Sequence, residues 1–365
     1  MGPGNAPVVR SAAPGKVILL GEHAVVYGRT ALAASIDRFV EVSVTDVRTP
    51  LSNERGDSFQ DSPSRRRHRD GGSSGRTVGS LHCDNLTVLA EEAPSSQGPS
   101  RSRRAVPLPA LERAAELAGL ASAGIAAVAA ADLPVGVGLG SSAALSVALI
   151  RALAKFAGQS LSDAAVCTRA FEIEKIFHGF PSGIDNTVVT YGGLIVFRRG
   201  DAVRPAAAAR PIPLVIAIGR APRETQQTVR GLRERWESSP ALYEPLFDEI
   251  DHLASRAERA IGTGDLPTLG VLMNANHRLL QRLGVSTGEL DEMVALARDV
   301  GALGAKLTGG GGGGAVICLC DAGRERLVES FTRAGWRAFA TDIVPRGFDG
   351  AGDADCFEQR SFASA

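Results

Sequence analysis

The run Pro134-Val135-Gly136-Val137-Gly138-Leu139-Gly140-Ser141-Ser142-Ala143-Ala144 decides how this chain reads, because it joins a glycine-rich loop directly to an amphipathic helix. Glycine lets the backbone come close to a ligand and turn its N–H groups inward, and the helix N-terminus behind it adds partial positive charge. The helix begins at Ser141 or Ser142, carries Leu145, Leu149, Leu153 and Phe156 on its apolar faces, and stops at Gly158. Such a segment cradles an anion, and a serine in its first turn offers a hydroxyl to a divalent cation such as Mg2+. It is neither a phosphate loop ending in Gly-Lys-Ser/Thr nor a dinucleotide fingerprint, whose third glycine and later acidic residue are missing. His68-Arg69-Asp70 imitates a protein-kinase triplet, but no Asp-Phe-Gly accompanies it, and it is a chance match.

Upstream, Val17 to Leu20 and Phe39 to Val44 read as strands around a turn at Gly28. Residues 49–105 change character, with Ser, Arg, Gly and Pro in excess and basic clusters at 65–69 and 101–104. That composition cannot build a packed core, so the segment reads as a solvated insertion with one short strand near Leu86 to Leu89. Downstream of it come a helix over 108–120, a strand over 125–131, the glycine loop and its helix, and a helix over 163–177. Residues 187–197 and 214–218 then read as strands, followed by helices near 224–237, 241–262, 266–283 and 287–301. Strand, helix and strand at 315–320, 323–334 and 336–343 close the pattern. Strands and helices mix without a regular βαβ repeat, which predicts an α+β fold. At 365 residues the chain exceeds the size of one core, so we expect two domains, 1–205 and 206–365, divided in the Pro/Ala-rich stretch.

A second glycine run, Gly309 to Gly314, follows Lys306-Leu307-Thr308 and precedes the apolar strand from Ala315. Ordering so many glycines is entropically costly, which favours a close approach to backbone or ligand over a flexible linker. The 40 basic residues balance the 40 acidic ones, so no net field draws the chain to nucleic acid or an anionic membrane. Small molecules are the expected partners. Five cysteines without paired metal-type spacing read as free thiols of a reducing compartment, and no stretch reaches the roughly 18 apolar residues of a membrane span. Both observations point to a cytoplasmic protein.

Phosphoryl transfer to an alcohol needs a base for the hydroxyl and cations for the phosphoryl oxygens, which focuses attention on the ionisable groups near these loops. Asp185 stands in Gly179-Phe180-Pro181-Ser182-Gly183-Ile184-Asp185-Asn186, a polar loop that either presents a catalytic carboxylate or merely turns the chain. Lys16 opens an apolar strand, where it either snorkels or favours the ionised form of a nearby carboxylate. Glu172 and Glu174 are two helical positions apart and face nearly opposite ways. Glu172 can pair with Arg169, whereas Glu174 flanks the apolar stripe of Val166, Ala170, Ile173 and Phe177 and is the better metal ligand. Glu22 and His23 either bind a substrate or cap a turn.

Together these segments resemble the mevalonate kinases of the GHMP kinase family. Ala13-Pro14-Gly15-Lys16 through Gly21-Glu22-His23-Ala24-Val25-Val26-Tyr27-Gly28 resembles the family's first motif, 133–144 its second and Lys306 to Gly314 its third. Glu174, His178-Gly179 through Asp185-Asn186, and Pro222-Arg223-Glu224-Thr225 fall at the family's spacing. The resemblance implies an N-terminal ATP-binding domain, a ferredoxin-like C-terminal domain, and phosphorylation of mevalonate by Mg·ATP; homodimers are frequent in the family. It further implies Asp185 as general base with Lys16 beside it, and Lys16, Gly136, Val137, Gly138, Leu139, Gly140, Ser141 and Ser142 around the ATP phosphates. Ser142 and Glu174 would hold Mg2+, and Glu22, His23 and Thr225 would contact mevalonate. Two rival readings remain at this stage, another GHMP kinase acting on phosphomevalonate, homoserine or a sugar, and a non-catalytic protein of the same fold. The chain departs from the family at residues 49–105, which lack the usual ordered elements, and at Ala131, where relatives often carry serine.

Overall fold

The computed structural model describes residues 8–46, 82–83, 86–87, 102–120, 125–178, 181–221 and 225–343. Most of the insertion expected over 49–105, and the His68-Arg69-Asp70 triplet, lie outside the described residues. The first sheet grows on one long strand. β1 (Val9–Leu20) and β2 (Ala31–Asp46) form an antiparallel pair, with Lys16 opposite Ser35 and register shifts at Pro14/Gly15 and Ile18/Leu20. Short backbone segments β3 (His82–Cys83), β4 (Leu86–Thr87) and β5 (Ser102–Ala105) reach the outer edge of β6 (Ile125–Ala131), which pairs with the second half of β2.

Helices α1 (Leu108–Leu117), α2 (Ser141–Phe156), α3 (Asp163–His178) and α4 (Ile184–Tyr191) pack with this sheet, and β7 (Leu194–Phe197) and β8 (Arg204–Pro205) complete it beside β2. α2 lies against β1 and β2, and its buried Ala143, Ala144, Ala148 and Ala152 allow the close approach that small side chains permit.

The second sheet starts with β9 (Ile212–Ile218). Four helices follow, α5 (Thr225–Ser238), α6 (Pro240–Thr263), α7 (Leu266–Arg282) and α8 (Gly288–Val300), and then β10 (Gly304–Thr308), β11 (Ala315–Leu319), α9 (Arg324–Arg333) and β12 (Arg337–Ile343). The strand order is β10-β11-β9-β12, antiparallel throughout, which is the ferredoxin-like arrangement. The two halves meet through Tyr27 stacked on Phe247 at 4.3 Å, Arg29 paired with Asp248 at 2.7 Å, and Thr341 bonded to Asp37 at 2.6 Å. Among the described residues no helix is long and apolar enough to cross a membrane.

One expectation is corrected, and one strand is added to those expected. Residues 187–197, which read as one strand, divide into the end of α4 and the short β7. The β-branched run Thr187-Val188-Val189-Thr190 favours strand locally, but Gly183 at φ +88° starts a helix whose Ile184, Val188 and Val189 are buried. β10 went unread because a lysine sits in its middle, and a fully buried lysine is rare without a partner.

Candidate active site

Lys16 emerges from β1 just after the irregularity at Pro14/Gly15, and its side chain is only 3% exposed. A buried ammonium needs an opposite charge, and Nζ lies 2.9 Å from Asp185 Oδ1. The Lys16 backbone N–H donates to the Leu139 carbonyl at 2.8 Å, which ties β1 to the glycine loop. Gly140 then passes so close that a Cβ there would lie 2.6 Å from Lys16 Cγ, and its φ of +76° is one that glycine adopts without strain. Lysine, loop and helix start are thus packed as one unit.

α2 begins at Ser141 with no side-chain cap on its first turn. Its leading N–H groups therefore lack intrahelical acceptors and point out of the helix beside Gly136, Gly138 and Gly140, which suits a polyanion. One residue into the helix, the Ser142 hydroxyl lies 3.2 Å from Glu174 Oε2 and 3.0 Å from His178 Nε2. One turn further, the Ser146 hydroxyl donates to Glu174 Oε1 at 3.1 Å and to the Ser142 carbonyl at 2.9 Å.

Glu174 on α3 is 1% exposed, and burial followed by the nearby charge of Asp185 pushes its carboxyl up to about 7. The serine hydrogen bonds and Lys16 pull the other way without prevailing. A buried carboxylate with two hydroxyls and, among the described residues, no Lys or Arg in ion-pair contact is a set of hard oxygen donors that fits a small divalent cation.

Asp185 occupies the first turn of α4 rather than the loop expected for it. α4 is fixed by Asn186 Nδ2, which donates to the Cys167 carbonyl at 3.1 Å, and by Thr187 Oγ1, which donates to the Gly183 carbonyl at 2.6 Å. The Asp185 side chain remains 33% exposed, so a reactant can reach it while Lys16 behind it is covered.

His23 follows β1, is 6% exposed, and holds a φ of +62°, the only positive value among described non-glycine residues. Such a backbone persists only where its surroundings over-determine it, and it clusters at functional sites. Glu22, expected to meet a substrate, is held by side chains of the C-terminal half. It is 1% exposed; its Oε1 pairs with Lys306 Nζ, and its Oε2 accepts from Asn276 Nδ2 at 3.2 Å. Burial pushes the Glu22 carboxyl up and the Lys306 amine down, each opposed by the other's charge. Thr225 heads α5, and its buried hydroxyl has no hydrogen-bond partner among the described residues, which leaves it available to a ligand but unconnected to the residues above. In the second glycine run, Gly312 N–H donates to the Val285 carbonyl at 2.9 Å, and a Cβ on Gly311 would lie 2.1 Å from that oxygen. The run is therefore an ordered close approach rather than a linker.

The arrangement offers an anion cradle, an oxygen-lined cation seat and a reachable carboxylate backed by a buried lysine, the parts that phosphoryl transfer to an alcohol requires. Comparison with known proteins agrees. Residues 106–193 match the GHMP kinases N terminal domain, and residues 257–337 match the GHMP kinases C terminal domain. The mevalonate kinase of Pyrococcus horikoshii is 35% identical over 344 residues, covering 93% of this chain and 96% of that protein. The chain belongs to the mevalonate kinases of the GHMP kinase family. The Pyrococcus furiosus member is 34% identical over 346 residues, with 93% and 97% covered. Among solved structures, L. major mevalonate kinase in complex with R-mevalonate superposes with a TM-score of 0.71 at 27% identity, covering 93% and 96% of the two chains.

Within this family frame, His178 is the site residue that residue-by-residue reading left without a role. It stands four residues after Glu174 on one face of α3, 3.6 Å from that carboxylate, and the helical spacing was the available signal. Glu172, expected beside Arg169, pairs instead with Lys175 at 2.8 Å on the exposed side of α3.

Proposed function

We propose that the chain transfers the γ-phosphoryl group of ATP to the primary hydroxyl of (R)-mevalonate, forming 5-phosphomevalonate for isoprenoid precursor synthesis. The observation that carries this reading is the 2.9 Å Lys16–Asp185 pair at the mouth of an uncapped helix and its glycine loop. Asp185 takes the hydroxyl proton as the alcohol oxygen bonds to the γ-phosphorus and the bond to the ADP oxygen breaks. Lys16 holds Asp185 in place and spreads charge from the phosphoryl oxygens. Backbone N–H groups of 136–142 take the ATP phosphates, and Ser142 and Glu174 would hold Mg2+, which supplies charge neutralisation on those phosphates when bound. His23 and Thr225 meet the acceptor, whereas Glu22, buried against Lys306 and Asn276, supports the loop instead of touching the alcohol.

The domain division at 205/206 belongs to the same reading and is supported by the change of sheet between β8 and β9. Homodimeric assembly and a cytoplasmic site of action rest on the family likeness and the sequence composition.

The test is a coupled ADP-release assay with Mg·ATP against mevalonate, phosphomevalonate, homoserine and galactose, run beside Asp185→Asn. Turnover with mevalonate alone, lowered by roughly 10²–10⁴-fold in the variant, is expected. Preference for another alcohol overturns the substrate assignment, and unchanged turnover in the variant overturns the base.

A further inference from the structure

β1 is an edge strand of its sheet: among the described residues β2 is the one strand that forms a backbone ladder with it. At Ile18 the chain is nevertheless only 5% exposed, so its N–H and C=O cannot be left to water. One side chain from the far end of the sequence satisfies both. Thr308 Oγ1, itself 1% exposed, accepts the Ile18 N–H at 3.0 Å and donates to the Ile18 carbonyl at 3.1 Å. Two residues earlier on β10, and so on the same face of that strand, Lys306 reaches Glu22 and the Leu307 carbonyl. Gly304 to Thr308 thus grips the end of β1 at two points that bracket Leu19, Leu20 and Gly21.

What lies beyond each grip point gives the contact its meaning. Lys16 is two residues before Ile18 and directs its amine at Asp185. His23, with its left-handed backbone, comes directly after Glu22. We propose that β10 is a clamp through which the C-terminal half sets the active-site geometry, with Thr308 as the positioning residue for Lys16 and Lys306, acting through Glu22, as the positioning residue for His23. The clamp rests on the kinase reading above and deepens it. Its physical basis is rigidity. A hydroxyl closing both polar groups of one residue allows neither sliding nor rotation of the strand there, and a displacement of about 1 Å in a reacting group lowers rate by roughly 10²-fold.

The two halves of the clamp predict different kinetic signatures. Thr308→Val keeps the shape and removes the hydroxyl, leaving the Ile18 groups unpaired; Thr308→Ser keeps the hydroxyl. We expect Thr308→Val to lower kcat roughly 10- to 100-fold with KM for ATP within about twofold of wild type, and Thr308→Ser to restore kcat to within about threefold. The paired variant Glu22→Gln/Lys306→Met removes both buried charges together and so avoids an unfolding single change. It is expected to raise KM for the acceptor alcohol about tenfold with a smaller effect on kcat.

An activity-independent measurement separates this proposal from the substrate assignment: a crystal structure of Thr308→Val, with hydrogen exchange of the Ile18 amide. A lengthened Lys16–Asp185 contact with fast Ile18 exchange supports the clamp even if mevalonate is not the substrate. An unchanged contact, or wild-type kcat in a folded Thr308→Val protein whose Ile18 amide exchanges fast, overturns it.

Discussion

Replacing Glu174 by glutamine should stabilise the metal-free protein at alkaline pH while abolishing its use of Mg·ATP. Glu174 is buried, and its carboxyl is pushed up to about 7 from an ordinary 4.5, first by burial and then by Asp185. The gap corresponds to an upper bound of roughly 3 kcal/mol of folding free energy. Its sign follows from proton binding. Between pH 4.5 and 7 the folded state holds a proton that the unfolded state has released, so stability contributed by Glu174 is full below 4.5 and is lost as pH rises through 7. Glutamine mimics the protonated form at every pH. Ser146 can keep its bond to the Ser142 carbonyl, and the new amide can donate to the Ser142 hydroxyl, so no buried group need be stranded.

Thermal unfolding in EDTA should show wild type and Glu174→Gln nearly coincident at pH 5. At pH 8 the variant should be more stable by about 2 kcal/mol, a midpoint rise of roughly 3 °C. Saturating Mg·ATP should invert the order at pH 8, because a ligand at about 100 times its Kd adds ~2.7 kcal/mol to the protein that binds it and little to the variant. An equal difference at both pH values, or a variant less stable in EDTA at pH 8, would refute the reasoning. The first result would show that burial of the charge is not what raises Glu174. The second would show that the serine bonds outweigh desolvation.

Gly140→Ala and Gly136→Ala form a matched pair: both glycines hold a φ near +80°, so each change strains the backbone by about 1 kcal/mol, but only at Gly140 does the new methyl meet Lys16. Steady-state kinetics should show kcat falling at least about tenfold more for Gly140→Ala, and equal losses would detach Lys16 from the chemistry. His277 offers a stability test far from the phosphates. Burial holds its imidazole down at about 4, against Asp291, which pulls it up, while Lys306 and Arg298 add to the depression. Its contribution is therefore present above pH 6.5 and lost as pH falls through 4, by up to about 3 kcal/mol. Urea unfolding at pH 7 and pH 4.5 should show His277→Gln losing less stability than wild type across that interval, and parallel losses would contradict the assignment.

Much of the phosphate side of the site was legible because its signals are local. Glycines at 136, 138 and 140 directly before Ser141 announce a loop running into a helix, and α2 starts there. Helical phase alone separated Glu174, which is buried against Ser142 and Ser146, from Glu172 on the outer face. Where reading failed, tertiary contacts override local preference. α4 forms from a β-branched run because Ile184, Val188 and Val189 fill a core between other elements. The partner of Glu22, Lys306, could not be read beside it because it is 284 residues away. No window of sequence contains both, and a buried carboxylate and a buried lysine each read alone as anomalies.

Those anomalies resolve along one line of charge. From Lys306 and Glu22 through Lys16 and Asp185 to Glu174, the buried or half-buried ionisable groups include three carboxylates and two ammonium groups, and among the described residues Glu174 is the carboxylate of the three without a lysine of its own. Lys16 serves Asp185, and its charge is the smallest of the influences on Glu174. The deficit of positive charge thus falls at Glu174, beside the uncapped end of α2, where nucleotide and cation would arrive together. A second lysine at that place would neutralise Glu174 permanently and compete with the cation for its oxygens. Leaving the carboxylate underserved makes cation binding and loss of the Glu174 proton a single coupled event, so the protein should release protons when Mg·ATP binds near pH 7. Calorimetric titrations in buffers of different ionisation enthalpy measure that release directly. If the binding enthalpy is the same in every buffer, Glu174 does not receive the cation.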